Sequence, residues 1–261
     1  MSSRIWTPAE LRSEFRPYSA IVWRCVEAQH RVSTNRLVDS LAEQAVLERL
    51  LEQSKPPLPS EVQSLNYLLA TPFRYHPRRP GSRFRRQTER AGVFYAAEDI
   101  ATAVCELAFY KFLFLADAPD AALPANAIEH TAFSVACAVE RALDLTRQPF
   151  AGDADVWEAL ADYAPCQRFA DIARQAETQL IRYVSVRDLL RRCNVGLMDP
   201  AAFTTPNPIT QQSWRVLLKP QLIIAFCDFP RAEYEFPLSM FAADPRLAPL
   251  LTASAGNEGN G

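Results

Sequence analysis

The segment from Ile100 to Ala116, IATAVCELAFYKFLFLA, is apolar or nearly so on every side, and Glu106 and Lys111 are its only charges. A helix that is hydrophobic all round has to be buried, so the chain must supply enough other apolar material to wrap it. It does: 49% of its 261 residues are hydrophobic and 22% are charged, the balance of a globular protein with one large domain, or one domain and an extension. The run falls short of the roughly eighteen apolar residues that a membrane span needs. At the N-terminus, MSSRIWTPAELRSEF places charges where a signal peptide would carry its apolar stretch. A soluble, cytoplasmic protein is expected.

The rest of the chain is punctuated irregularly. Ser33 to Asn35 offers a helix cap, and Leu37, Val38, Leu41, Ala45, Leu47, Leu50 and Leu51 follow at roughly helical spacing until Lys55–Pro59, KPPLP, stops the helix. GVFYAA, Gly92 to Ala97, reads as a short strand leading into a helix from Glu98 to Ala116. Phe133, Val135, Cys137 and Val139 alternate with smaller residues, the period-two pattern of a half-buried strand. CQRFADIARQAE reads as a helix, and LIRYVSV, NVGLMD, WRVLLK and LIIAFCDF as strands, the last suited to burial on both faces. This is a mixed α and β pattern without a βαβ rhythm. With only 7 glycines and no GxGxxG or GxxxxGK, a doubly wound nucleotide fold is disfavoured. The expected organisation is a helical N-terminal extension over 1–60, a main domain over 61–245 and a disordered tail over 246–261.

The cysteines Cys25, Cys105, Cys137, Cys166, Cys193 and Cys227 form no CxxC pair and read as free core thiols. His30, His76 and His130 lie far apart with no ligand spacing, so no metal site is expected. The formal net charge is −2, yet Arg74, Arg78, Arg79, Arg83, Arg85, Arg86 and Arg90 crowd one short segment. Glu106 is the chemically odd residue. At 100° per residue it shares a face with Thr102, Phe109, Tyr110 and Leu113, so its carboxylate is at least partly buried and must be paired, hydrogen-bonded or used in chemistry. A structural ion pair to one of the arginines and a catalytic role both fit.

PFRYHP, GSRF, GVFYAAEDIATAVCELAFY, IRYVSVRD, NVGLMDPAAF and SWRVLL together resemble the RES-domain family in order, spacing and character, over residues 65–220. The resemblance identifies Arg74 with the first pocket arginine and Tyr75 with the aromatic beside it. It identifies Arg83 with the second arginine, Tyr95 with the strand tyrosine, Glu106 with the helix glutamate and Ser185 with the serine. Phe84 and Arg85 stand where many members carry tryptophan and asparagine, which leaves that wall of the pocket open. The resemblance implies an α+β fold similar to ADP-ribosyltransferases, a split mixed β-sheet flanked by helices with NAD in the cleft. It also implies a toxin of a toxin–antitoxin pair that breaks the nicotinamide–ribose bond, with no metal.

In that reading Glu106 stabilises a cationic ribose. Arg74 and Arg83 hold the dinucleotide through planar, bidentate donors. Tyr75 and Tyr95 stack on or bond to a ring, with plain core packing as their alternative, and Ser185 orients the ribose or the nicotinamide amide, unless it merely caps a turn. The partner implied is an Xre-like antitoxin with a helix-turn-helix region, whose body blocks the cleft; a homo-oligomer is left open. The sequence does not choose between water or phosphate as acceptor, which destroys NAD, and a side chain of a protein target, which is then ADP-ribosylated. A reading of another class is a nucleic-acid-binding module, with Phe73, Tyr75 and Phe84 interleaved among the arginines of 74–90. A third, an interaction protein with a dead pocket, has no positive support.

Overall fold

The computed structural model describes residues 5–28, 38–74 and 81–257. Its eight strands are β1 (Arg16–Glu27), β2 (Phe94–Ala97), β3 (Ile128–Asp144), β4 (Leu180–Val184), β5 (Cys193–Leu197), β6 (Thr210–Leu218), β7 (Leu222–Cys227) and β8 (Ala232–Pro237), joined in the order β1-β2-β5-β4-β3-β6-β7-β8. The helices are α1 (Pro8–Ser13), α2 (Leu41–Ser54), α3 (Tyr67–Arg74), α4 (Ile100–Asp117), the single turn α5 (Ala154–Trp157), α6 (Ala164–Gln175) and α7 (Ala248–Asn257).

Strand β3 organises the sheet. One edge pairs antiparallel with β1, from Arg16 opposite Ala142 to Glu27 opposite His130. The other edge is divided: Ile128 to Ser134 face β6 antiparallel, whereas Ala142 to Asp144 face β4 in parallel. Between the two, Phe203 bridges to Cys137 and the Thr204 N–H donates to the Ala136 carbonyl at 3.1 Å. The sheet therefore splits along β3, and the β3–β4 pair makes it mixed. The α+β class and the split mixed sheet flanked by helices stand as expected. Strands β1 and β2 meet at one register pair, Trp23 opposite Ala97.

Three apolar clusters hold this frame. Leu68, Leu69 and Phe73 of α3 pack on Phe133, Val135, Cys137 and Val139, the alternating face anticipated for β3. Gly92 permits the approach, since a Cβ there would stand 2.5 Å from the Phe73 Cα. The nearly all-apolar α4 lies closest to β1 and β2 and its side chains share a cluster with β6, β7 and β8, where Phe109 and Phe112 meet Phe241 and Leu247 of the C-terminal segment. In the third cluster, Phe169 of α6 packs with Trp157 and Phe150, and Phe150 in turn with Trp6. Asp99 caps α4 by accepting the Ala101 N–H at 2.8 Å, so the helix begins two residues later than the sequence reading placed it.

Two expectations are corrected. The region 1–60 is not a helical extension, because Arg16–Glu27 is a strand paired along most of its length with β3. Tyr18, Ala20, Val22 and Val26 all pack on the α3 cluster, a period-two face obscured in sequence by the intervening Trp23, Arg24 and Cys25. Ser33–Asn35 lies outside the described residues, and α2 is capped instead by Ser40, whose Oγ accepts the Glu43 N–H at 3.2 Å. The tail is also ordered further than expected: α7 runs to Asn257, with Leu250 and Leu251 packed beside α4; residues 258–261 lie outside the described part. Strand β8 had no counterpart in the sequence reading. All six cysteines are free, as expected. No helix among the described residues is long and apolar enough to cross a membrane.

Candidate active site

The site is assembled from α4, the hairpin β4–β5, the strand pair β1–β2 and the turn at Gly81–Arg85. Helix α4 presents Glu106 to the hairpin. Ser185, just beyond β4, donates its hydroxyl to Glu106 Oε1 at 2.7 Å, and Asn194 of β5 donates Nδ2 to the same oxygen at 2.6 Å. Among the described residues Oε2 takes no hydrogen bond and is left for the cavity. Among the described residues Glu106 is thus neither ion-paired nor adrift: two neutral donors fix its orientation without cancelling its charge.

Ser185 is fully buried and also receives the Arg187 and Asp188 N–H groups at 3.4 and 3.3 Å. Ser185 therefore caps the turn that follows β4, and its own hydroxyl hydrogen goes to Glu106. The loop it opens is strapped to α4, since Asp188 accepts Thr102 Oγ1 at 2.5 Å and Arg192 Nε at 2.6 Å, while Arg192 also reaches Asp99 at 2.8 Å. Burial opposes the charge on Asp188, but the bonds from Arg192, Thr102 and the Leu190 amide outweigh it and hold its carboxyl below the usual range.

The turn carrying Arg83 depends on Gly81, whose φ of +94° is left-handed and whose absent side chain leaves room for the Arg85 carbonyl. Tyr95 anchors this turn. Its hydroxyl accepts the Phe84 N–H at 2.9 Å and shares a bond of 2.9 Å with Ser82 Oγ, and burial raises its pKa. Arg83 is 7% exposed; it donates to the Trp157 carbonyl and stands 4.7 Å from the centre of the Tyr163 ring.

Glu106, Arg83 and Tyr95 therefore line one cavity of about 260 Å³, with Ser185 directly behind Glu106. Arg74 does not join them. At the end of α3 its Nη1 bonds to Glu52 at 2.6 Å and its Nε to the Pro56 carbonyl at 2.5 Å, and the arginine that lines the cavity in its place is Arg24 of β1. Tyr75 lies outside the described residues. Arg24 donates to the Tyr95 carbonyl at 2.6 Å and sits 5.1 Å over the Phe94 ring, and burial pulls its pKa down to about 10. Among the described residues neither Arg24 nor Arg83 is paired with a carboxylate.

Sequence reading missed Arg24, although a lone arginine inside the apolar run AIVWRCV is the same signal that drew attention to Glu106. It also missed Asn194 and the wall tyrosines Tyr163 and Tyr183. Burial, and secondly the Glu106 charge, push the Tyr183 phenol well above its ordinary pKa, so it stays a hydroxyl donor.

One wall is held from far along the chain. Arg187 bonds to Asp244 at 2.9 Å with both side chains buried, and Asp244 also takes Arg246 at 2.8 Å. Both guanidinium groups donate to the Leu160 carbonyl, and both approach the Tyr163 hydroxyl, at 3.4 and 3.2 Å.

The nucleic-acid reading of 74–90 fares poorly in the described part. Phe73 and Phe84 are buried, Arg74 bonds to Glu52 and Arg86 to Asp171, and Arg83 and Arg85 are buried too. Basic side chains spent on neighbours, with aromatic rings inside the core, leave little with which to grip phosphates and stack bases.

A family model described as RES domain matches residues 58–219. Among solved structures, the chain is similar to the crystal structure of the M. tuberculosis MbcT-MbcA toxin-antitoxin complex, at 13% identity and a TM-score of 0.45, covering 79% of this chain and 90% of that chain. No curated protein matches it in sequence. The family match leaves β1, with Arg24, ahead of it and Asp244 and Arg246 behind it.

Proposed function

This chain belongs to the RES domain family, and from that premise we propose that it is a toxin that breaks the nicotinamide–ribose bond of NAD. The observation that carries this reading is one cavity holding an oriented carboxylate, Glu106, with two guanidinium groups, Arg24 and Arg83, that lack a carboxylate partner among the described residues. Uncompensated cations beside a cavity favour an anionic ligand. A carboxylate with a free oxygen favours a centre that becomes positive. NAD has both, a pyrophosphate and a ribose carbon that gains positive charge as nicotinamide leaves.

The chemistry needs no acid. The glycosidic electron pair goes to the pyridinium nitrogen, nicotinamide departs neutral, and the sugar becomes oxocarbenium-like until an acceptor adds at the anomeric carbon and, if it is water, loses a proton. Glu106 Oε2 stabilises that cation and can hold a ribose hydroxyl. Ser185 and Asn194 keep the carboxylate aimed, so little reorganisation is needed at the moment of reaction. The Tyr95, Tyr110 and Tyr183 rings line the same cavity and leave less room for water around the bond that breaks.

The test is to incubate purified protein with NAD labelled in its adenylate half and to measure free nicotinamide. Nicotinamide release with label in ADP-ribose or its phosphorylated form supports cleavage with water or phosphate as acceptor. Label on protein supports transfer to a target. Release of no nicotinamide removes the proposal. The RES resemblance further supports neutralisation by an antitoxin with a helix-turn-helix region, which is checked by whether such a partner co-purifies with the protein and suppresses NAD loss.

A further inference from the structure

Successive side chains of a strand point to opposite faces. On β4, Tyr183 lines the Glu106 cavity, and its neighbour Arg182 lines a second cavity, of about 300 Å³, on the other face of the strand. This second cavity lies where the ladder of β1 on β3 is disturbed: the register slips between Arg16 and Tyr18, and Pro17 between them has no N–H to give. Its walls include Arg16 and Tyr18 of β1, Asp144 at the end of β3, Arg147 beyond it and Arg182. The volume stands at the lower end of the roughly 300–1,000 Å³ of sites that enclose a small organic ligand, so a small occupant fits and a dinucleotide does not.

Three guanidinium groups meet here, and they are not equally spent. Arg182 is saturated: Nε and Nη2 donate to the two oxygens of Glu98 at 2.7 and 2.9 Å, while Nη1 donates to Thr146 Oγ1 at 2.9 Å and to Asp144 Oδ2 at 3.3 Å. Glu98 also accepts the Tyr18 hydroxyl at 2.8 Å. Asp144 is engaged as well, its Oδ1 taking the Thr146 N–H at 3.0 Å and the Thr146 hydroxyl at 2.6 Å. Arg147, with 75% of its side chain exposed, stands 3.8 Å from Asp144, beyond hydrogen-bond reach. Arg16 donates to the Phe15 carbonyl at 3.1 Å. Among the described residues neither Arg16 nor Arg147 donates a hydrogen bond to a carboxylate. Three cations against Glu98 and Asp144 leave the cavity positive. One guanidinium fork fills a carboxylate, so two open forks are matched by an anion with more acceptor oxygens. A phosphomonoester has three and carries about −1.5 to −2 charges at neutral pH.

We propose that this cavity binds a small phosphomonoester, its phosphate held by Arg16 at the start of β1 and Arg147 just beyond β3. The site is separate from the Glu106 cavity and does not rest on the NAD reading. It is tested by equilibrium titration of the full chain with ribose 5-phosphate, for the wild type, Arg16→Gln, Arg147→Gln and Arg231→Gln. Both Arg16 and Arg147 are exposed, and exchanging them should cost the fold little. Each of these two variants should weaken the sugar phosphate about 10-fold or more, the loss of hydrogen bonds to a charged group. Arg231→Gln removes the same charge from an exposed turn between β7 and β8 and should weaken it less than about 2-fold. A wild type that does not bind the sugar phosphate overturns the site, as does full affinity in either Arg16→Gln or Arg147→Gln. Equal weakening by Arg231→Gln also overturns it, because the effect is then one of overall charge. The same titration with a phosphoserine peptide separates the two sources of such a group. A peptide that binds more weakly than ribose 5-phosphate supports the small ligand, whereas one that binds more tightly overturns it in favour of a phosphorylated partner.

Discussion

At the scale of single residues, Glu106 is held by Ser185 and Asn194 on one oxygen while the other has no hydrogen bond among the described residues, and this asymmetry sets the expected outcomes. Glu106→Gln keeps the shape and removes the charge, so NAD turnover should fall by about 10²-fold or more with affinity changed much less; a variant as active as the wild type ends the catalytic role. Ser185→Ala removes one of the two donors to Oε1 and also strands the Arg187 and Asp188 amides. It should lower turnover less than Glu106→Gln does, and stability by roughly 1–3 kcal/mol. Arg24→Ala should weaken NAD binding by roughly 1.5–3 kcal/mol, the value of hydrogen bonds to a charged group. Arg74→Ala should leave binding unchanged, because its guanidinium is spent on Glu52 and Pro56. Titration of the two variants side by side checks both. The sequence exposed Glu106 as a lone carboxylate in an apolar helix. The resemblance put Arg74 in the pocket, whereas its guanidinium bonds to Glu52 and the Pro56 carbonyl; a guanidinium's partner depends on where two helices end in space, which nothing in the local run of residues specifies.

Among the elements, the segment after β8 is tied to the wall of the site. Asp244 accepts Arg187 and Arg246, and it is 1% exposed. Removing one partner of such a buried pair leaves an uncompensated charge, so Asp244→Ala should cost roughly 3–5 kcal/mol of stability, read from urea unfolding. Burial opposes the Asp244 charge, but the hydrogen bonds and charges of Arg246 and Arg187 overcome it and hold the carboxyl below its ordinary value. A depressed native pKa stabilises the fold fully only above the unfolded value, about 3.9 for Asp. That contribution should drain as pH falls below about 4 toward the native value. Wild-type unfolding midpoints measured from pH 6 downward should drop more steeply in that window than those of Asp244→Asn. An equal pH slope in the two proteins would show that other carboxylates govern the acid limb.

Across the whole molecule, β1 at one end of the chain and residues 238–251 at the other both close on the centre: β1 pairs with β3, and Leu238, Phe241 and Leu247 cover α4. A chain ended after Pro237 would bare the apolar face of α4 and strip Arg187 of its counter-ion, so a markedly lower melting temperature and loss of NAD binding are expected; a shortened chain with unchanged melting temperature would show the segment to be dispensable. The sequence by itself determined the mixed α and β pattern, the nearly all-apolar α4, the strands β2 to β7 and Glu106 as a lone carboxylate, because periodicity and lone polar residues in apolar runs are local signals that survive without neighbours; Arg83, Tyr95 and Ser185 were named through the resemblance to the RES family, and the structure sets Arg83 and Tyr95 around one cavity with Ser185 behind Glu106. The split of the sheet along β3, the entry of β1 into it, the choice of Arg24 over Arg74 and the clamp by Asp244 were decided by tertiary structure alone. Each depends on which surfaces meet across long separations in the chain. Strand pairing and ion pairing are made by backbone and charged groups that nearly every segment carries, so only packing determines which of the available partners is used.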